Sequence, residues 1–418
     1  MTQAIPEYDV LIVGGGMVGS MLCAALAGVA ATASLDGHEP LRICVLEHQL
    51  PAAFKPGSNP PYDLRVSALS IASQNMLQRV GAWDGIVSRR ACEYKKLSVW
   101  DGEKDGRTDF NAADIQASHL GHIVENRVIQ LALLDVIGDL SNVTVLTPAR
   151  LARYRETSDG VEVTLEDGKK LTTRLLVGAD GANSVVRKQA GIDTNRKQYP
   201  QHALVATVQT ALPQQDITWQ RFVPTGPQAF LPLCGHQASI VWYHTREEIQ
   251  QLQALDDQQF IHRLQSAFPD ALGAVAAVHG RGAFPIAKAH AQDYIAARIA
   301  LVGDAAHTVH PLAGQGVNIG LLDAAALAQV VIAAAVQGRD VGSHAVLRRY
   351  QRWRYGDNQL MISALDSLYE AFKPRPEFVQ QVRSASLNLV DRIKPIKHQL
   401  MRHAMGISGD LPSIARSK

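Results

Sequence analysis

An aspartate ending an apolar run, followed by a proline and two glycines, is the first place where this chain could do chemistry. The run is Ile299 to Val302. Gly303-Asp304 breaks it, and Pro311, Gly314 and Gly316 close and loosen the loop beyond. A run this short reads as a buried strand. A carboxylate at a strand end can accept hydrogen bonds from sugar hydroxyls. The alanine- and leucine-rich stretch from Val317 to about Val336 then reads as a long helix. Glycines at a helix start let backbone N–H groups approach an anion, and the helix dipole favours negative charge there. The stretch therefore offers a sugar acceptor, an anion site and a flat surface poor in side chains. A dinucleotide with a planar ring system needs all three. A plain strand–loop–helix would use the same glycines for turns alone.

The opening of the chain holds a second anion site. Tyr8 to Val13 reads as a buried strand, Gly14-Gly-Gly-Met-Val-Gly19 as a turn into a helix, and Leu41 to Leu46 as a second strand ending at Glu47. This is a βαβ unit with G-x-G-x-x-G at Gly14, Gly16 and Gly19. Gly14 makes the tight turn, Gly16 lets a pyrophosphate approach the backbone, and Gly19 lets the helix pack on the strand. Met17 and Val18 complete the turn, and Glu47 is placed to bind ribose hydroxyls. A lone glycine motif is a weak signal; one between strand and helix, with an acid closing the second strand, is a good one. The spacing departs from the usual pattern, because Glu47 lies farther from Gly19 than ~20 residues would allow. Ala31 to Pro40 reads as an insertion in the helix–strand connection, where added length costs little.

These sites need a large frame. The chain has 418 residues, enough for two or three domains, and its 46% hydrophobic content supplies the cores. A net charge of +2 speaks against nucleic acid as a partner, which would need a basic excess on one face. Cys23, Cys44, Cys92 and Cys234 form no CxxC pair, so neither a metal site nor a disulfide framework is indicated, and a reducing cytoplasm fits. The acidic start at Glu7 and Asp9 is unlike a signal peptide. Met17 to Leu35 reads as a buried helix and not as a membrane span. His307 and His310, without clustered acids, make no metal site.

The expected architecture is α/β. A Rossmann-like domain spans residues 1–197 and 285–345, an antiparallel-sheet substrate domain 198–284, and a C-terminal helical region 346–418. Val143 to Leu165 alternates like a small meander, and Leu175 to Arg187 reads as strand, Asp180-Gly181 turn and short helix. Four strand-like runs between His202 and Tyr243 build the second sheet, with a helix from Glu247 to Ala267 at one edge. The C-terminal region mixes Lys and Arg with Leu, Phe and Met. It would either pack on the first domain or present a lipid-facing surface with a basic rim. Glu125 and His122 read as solvated or capping residues.

The spelling G-D-A-A-H-x-x-x-P-x-x-G-Q-G-x-N from Gly303 to Asn318 closely resembles the second FAD motif of the aromatic-ring flavin hydroxylases, the fold group of para-hydroxybenzoate hydroxylase. Gly14–Gly19 and Asp180-Gly181, with Ser184 and Arg187, match that family's other motifs in the family's order. The resemblance implies bound FAD, reduced by NAD(P)H, with oxygen passed to an electron-rich ring through a flavin C4a-hydroperoxide. It implies that Arg65 lies near the isoalloxazine or pyrophosphate, that Arg127 reaches the pyrophosphate, and that Asp180 and Gly181 lie beside it. Asp304 would hold the ribityl or ribose side of the cofactor. Gly314, Gln315, Gly316, Val317 and Asn318 would hold the flavin pyrimidine edge through backbone N–H groups. Pro311 would be the catalytic contact, its carbonyl facing and polarising the substrate hydroxyl.

Within that superfamily the chain most resembles the ubiquinone-biosynthesis hydroxylases, the UbiH and UbiI group, and there the UbiI type. Arg65-Val-Ser-Ala-Leu69, Ser118 to Asn126, Gln201 to Thr207 and His307 to Asn318 carry the likeness. It implies O2 and a lipid-tailed phenol as substrates, with 6-hydroxylation of a 2-polyprenylphenol. It also implies a place in a quinone-biosynthesis complex, peripheral contact with the inner face of the membrane, and a homo-oligomer as one assembly open to it. Three rivals stay open: a sister enzyme acting at another ring position, one acting on a soluble phenol, and a non-catalytic FAD-binding member of such a complex. A halogenase would need W-x-W-x-I-P, and none of the five tryptophans lies in one.

Overall fold

The computed structural model describes residues 7–29, 39–54, 60–269, 273–373 and 376–417. The insertion expected at Ala31–Pro40 lies outside them except for its last two residues, as do residues 55–59 of the proline-rich loop.

The first sheet runs in the order Ile295–Ala296, Ile299–Leu301, Lys170–Gly178, Tyr8–Val13, Ile43–Leu46, Val143–Leu146. All neighbours are parallel except the first pair. Tyr8–Val13 is buried along its whole length. A central parallel strand needs apolar residues on both faces, which explains why its sequence does not alternate. The expected meander is shifted: Leu151–Glu156 and Val161–Leu165 extend antiparallel from Lys170–Gly178, while Val143–Leu146 is a parallel strand beside Ile43–Leu46. The helix Met17–Ala24 packs between Asn126–Gly138 and Gln315–Val336. That last helix is long and apolar enough to span a membrane by composition, but 67% of its apolar window is buried in protein. Its hydrophobicity is that of a core helix.

The second sheet has eight strands, in the order His307–Thr308, Val275–Ala291, Thr194–Thr210, Gln237–Thr245, Gly226–Leu233, Ile217–Val223, Lys96–Asp101, Arg107–Asn111. It is antiparallel except where Ile217–Val223 meets Lys96–Asp101. The expected bounds 198–284 therefore leave out three of its strands, Lys96–Asp101, Arg107–Asn111 and His307–Thr308. Lys96–Asp101 and Arg107–Asn111 form a local hairpin, but its link to the sheet is the distant Ile217–Val223, so no local pattern assigns it there. A third sheet joins Val66–Ser70, Gly121–Glu125 and Cys92–Tyr94.

The single helix expected over Glu247–Ala267 is two, Arg246–Ala254 and Asp257–Ala267. Asp256 breaks it, because its side chain caps Gln259 while the Gln259 side chain returns to the Asp256 N–H. The C-terminal helices are His344–Ala371, Glu377–Arg392 and Lys394–Ala404. Glu377–Arg392 lies along the edge strand Arg107–Asn111. Asn388 accepts the Arg107 N–H (3.0 Å), and Asp391 accepts the Asp109 N–H (3.1 Å). The Arg383 guanidinium meets the buried Asp101 carboxylate at 2.6 Å. A Cβ on Gly106 would stand 2.6 Å from the Ser384 backbone, so only glycine permits this approach. His344–Ala371 packs on Gln315–Val336 of the first domain as expected, whereas Glu377–Arg392 packs on the second sheet. One face of this helix packs, while Phe378, Val382 and Leu389 point to solvent.

Candidate functional site

Four neighbouring parallel strands end at the same edge of the first sheet. Ile43–Leu46 leads to Glu47, Tyr8–Val13 to Gly14, Lys170–Gly178 to Asp180, and Ile299–Leu301 to Asp304. Ligands of open α/β sheets bind at this carboxyl edge. The register pairs Val13 with Leu46 and with Gly178, and Gly178 with Leu301, so the four turns stand side by side.

Each turn has its own local cause. Gly14 has φ +104°, and a Cβ there would lie 2.4 Å from the Ala179 carbonyl oxygen. No other residue fits. A Cβ on Gly19 would strike the Gly14 oxygen at 1.9 Å, which is the close helix–strand approach expected of the third motif glycine. A Cβ on Gly16 would meet nothing within 4 Å, so that side of the turn is an open cradle. Ser20 Oγ and Gln130 Nε2 both donate to the Gly15 carbonyl at 2.9 Å and fix the loop. Glu47 Oε2 accepts the Gly15 N–H (2.7 Å) and Oε1 the Gln49 N–H (3.0 Å). Strand register, and not the length of the preceding connection, places Glu47 beside the glycine turn.

The two helix starts are alike. Neither Met17–Ala24 nor Gln315–Val336 has a capping side chain or an acidic residue in its first turn. Their leading N–H groups are left to bind an anion. Gly314, at φ +62°, turns the chain into the second helix, and Gln315, Gly316 and Val317 are half-buried behind it. Pro311 is exposed at the head of this loop.

Asp304 is exposed by surface area, yet burial among surrounding chain raises its carboxyl above the usual carboxylate range, with His307 and Arg65 acting in opposition. That combination belongs to a group on the floor of an open cleft. Arg65, also exposed, is thus close enough to be felt by Asp304. Arg127 Nε lies 3.0 Å from Asp63 Oδ2 but is not aligned for a hydrogen bond, and its guanidinium stands over the Phe54 ring. Asp180 Oδ2 accepts the Val185 N–H at 2.7 Å and the Val186 N–H at 3.2 Å. Its Oδ1 is buried without a partner. Gly181 follows at φ +79° with open space at its Cβ.

Three expected site residues do structural work with their side chains. Val18 fills the surface made by Gly303 and Gly320, where added Cβ atoms would come within 3.1 and 2.7 Å of it, and so locks the two glycine motifs together. Asn318 is fully engaged: it accepts from the Ser70 N–H and Ser73 Oγ and donates to the Ala68 carbonyl. Only its backbone remains to face a ligand. Arg187 donates to the Ala305 and Ala182 carbonyls, joining the Asp180 and Asp304 turns. Glu125 and His122 are buried and not solvated. Glu125 holds Arg90 at 2.9 Å, and His122 packs edge-on against Trp83 and His119.

Sequence reasoning missed one network. Asp323, fully buried, accepts from His307 Nε2, Arg354 Nε (2.9 Å), Asn358 Nδ2 (2.9 Å) and the Gly303 N–H (3.3 Å). Asn358 continues to Tyr294 and Tyr294 to His290. The signal was a lone aspartate inside an alanine-rich helix. His307 is therefore committed to Asp323. Its neighbour His310 is caged by Tyr199, Tyr243 and Tyr369, with neither ring nitrogen partnered.

Burial lowers His122, His290 and His310 each to about 4. A histidine kept neutral by the fold costs no stability while the unfolded chain is also neutral. Stability should therefore fall as pH drops from about 6.5 toward 4, by up to about 1.4 kcal/mol per pH unit for each histidine. Urea midpoints at pH 7 and pH 5 check this; equal midpoints refute it.

A family model described as FAD binding domain matches residues 7–360. The chain is 39% identical to the "3-demethoxyubiquinol 3-hydroxylase" of Escherichia coli (strain K12), over 96% of this chain and 98% of that protein. It is 38% identical to the "Ubiquinone hydroxylase UbiL" of Rhodospirillum rubrum, over 95% and 89%. Among solved structures it is similar to PqsL of Pseudomonas aeruginosa, titled a probable FAD-dependent monooxygenase. The TM-score is 0.73 and the identity 27%, over 91% of this chain and 99% of that one.

Proposed function

We propose that this chain, which belongs to the FAD binding domain family, hydroxylates the aromatic ring of a polyprenylated quinone precursor. It is an FAD-dependent aromatic hydroxylase of the ubiquinone-biosynthesis type, with NAD(P)H as the electron donor typical of the family. The observation that carries the reading is the row of four turns at one sheet edge, where two uncapped helix starts stand beside Glu47 and Asp304.

When bound, FAD supplies electron transfer and oxygen activation; the chain supplies binding, orientation and exclusion of water. Gly14, Gly16, Met17 and Gly19 form the cradle for the pyrophosphate, and Glu47 takes the ribose hydroxyls. The unpartnered Asp180 Oδ1 fits a hydroxyl or amide donor of the ligand, with Gly181 leaving room beside it. Arg65 and Asp304 face each other across the flavin side, and Arg127 reaches the pyrophosphate by exchanging Asp63 for phosphate. Backbone N–H groups from Gly314 to Asn318 hold the ring edge. Pro311 presents its carbonyl to the substrate hydroxyl and draws electron density into the ring.

The resemblance to the UbiI type supports 6-hydroxylation of a 2-polyprenylphenol. A second reading, 3-hydroxylation of a demethoxyubiquinol, is supported by the name of the E. coli relative matched nearly end to end. The exposed apolar residues Phe378, Val382, Leu389, Ile396 and Leu400, with Lys394 and Arg402 nearby, suit a peripheral membrane face that receives a lipid-tailed substrate. The enzyme would then work on the cytoplasmic side, alone or within a quinone-biosynthesis complex.

Mass spectrometry of quinone lipids from aerobically grown cells lacking the gene tests this. Accumulated polyprenylphenol supports the first reading and accumulated demethoxyubiquinone the second. An unchanged profile, in cells without a second such hydroxylase, refutes both.

A further inference from the structure

The sequence shows four scattered cysteines, but the fold brings two together at the seam between sheets. Cys92 opens the strand Cys92–Tyr94 of the three-stranded sheet and is buried. Cys234 follows Gly226–Leu233 of the eight-stranded sheet and is exposed. Each thiol feels the other's side chain electrostatically. The Cys234 thiol donates to the carbonyl of Ala91, the residue before Cys92, at 3.4 Å. The Cys234 N–H donates to the Tyr62 hydroxyl at 3.1 Å, and the Arg90 guanidinium sits 3.8 Å over the Tyr62 ring. Cys92 and Leu233 share one apolar cluster, so the pairing is built into packing and not into a loop.

We propose that Cys92 and Cys234 are a peroxide-sensitive thiol pair that closes to a reversible disulfide across the two sheets. The exposed sulfur is the one to react first. The Cys92 side chain, then Tyr62 and Arg90, favour the Cys234 thiolate, while Cys234 and burial keep Cys92 protonated. The thiolate attacks hydrogen peroxide: an S–O bond forms, the O–O bond breaks, and hydroxide leaves. The resulting sulfenic acid is attacked by Cys92 sulfur, which forms the S–S bond and expels the oxygen as hydroxide. The Cys92 proton and one from solvent convert the two hydroxides to water. Two thiols and one peroxide thus give one disulfide and two waters. Hydrogen peroxide is at hand wherever reduced flavin meets oxygen without its ring substrate. In a reducing compartment such a bond is transient, and a small-molecule or protein dithiol reverses it. When closed, it ties the sheet that begins just after Arg65 to the antiparallel sheet.

The test uses the full-length, FAD-loaded protein treated with a small excess of hydrogen peroxide. Intact mass, thiol titration and non-reducing peptide maps are read. The expected result is loss of two hydrogens, loss of two thiols and a cross-linked peptide pair containing Cys92 and Cys234, all reversed by dithiothreitol. Cys23 and Cys44, buried in the core, should stay reduced. Cys234→Ser should abolish the change, and Cys92→Ser should leave a sulfenic acid trappable by dimedone at Cys234. Oxygen addition at Cys234 with Cys92 still free in the unmodified sequence, or no thiol loss at all, overturns the proposal. Neither result touches the hydroxylase reading, which does not use these thiols.

Discussion

Replacing Asp323 by alanine should destabilise the protein by about 3–5 kcal/mol, the cost of breaking a buried ion pair from one side. The carboxylate has no solvent exposure and holds four donors. Burial alone would raise its pKa; His307 and Arg354 more than reverse that and hold it at about 2. Without it, the Arg354 guanidinium, itself buried, keeps only Asp357 and Asn358. The His307 ring and the Gly303 N–H lose their acceptor as well. Because Gly303 leads directly into Asp304, the loss should also loosen the cleft floor. Asp323→Asn keeps the acceptor and should cost less. Denaturant unfolding of the apo variants reads both values, and an alanine variant within about 1 kcal/mol of the parent would show that the network does not organise the fold. The depressed pKa fixes the pH window. The stabilisation is complete above the unfolded value near 3.9 and drains away as pH falls toward 2.

Replacing Asp304 by alanine should do the opposite: leave the fold alone and weaken FAD retention. Its side chain is exposed, and such substitutions usually shift stability by less than about 0.5 kcal/mol. Losing a charged acceptor for ligand hydroxyls should cost about 1.5–3 kcal/mol, roughly ten- to hundredfold in affinity. Flavin fluorescence titration of the apo form gives the dissociation constant, and the absorbance ratio of the purified protein gives occupancy. A variant that purifies fully yellow and active would remove Asp304 from the site. The two aspartates sit on adjoining elements, yet only Asp323 should carry stability.

The parts of this site that are local in sequence were readable in sequence. Glycines that need positive φ or close approach, acids at strand ends and helices without caps declare themselves within a few residues. Even Glu47, out of its usual spacing, was recoverable, because parallel register fixes it beside Gly14 whatever precedes it. What was hidden depends on contacts between distant segments. Nothing near Asn318 says that Ser70 and Ser73 consume its side chain. Nothing near Lys96–Asp101 says that it joins Ile217–Val223 in the second sheet. Cys92 and Cys234 each look like an isolated thiol until two sheets meet. Asp323 alone carried a warning, since an unpartnered charge inside an apolar helix is too costly to be left so.

The helix Glu377–Arg392 has a consequence for colloidal behaviour. An outer strand with free N–H and C=O groups is a template on which other chains can polymerise. Here Asn388 and Asp391 occupy the outward N–H groups of Arg107 and Asp109, and the Thr108 hydroxyl is tied to the Leu387 carbonyl. At the opposite border the sheet ends in only two residues, His307–Thr308. The packed face of this helix therefore acts as a stopper against intermolecular β-addition. Removing this helix would bare the N–H groups of Arg107 and Asp109 and should promote assembly through the sheet.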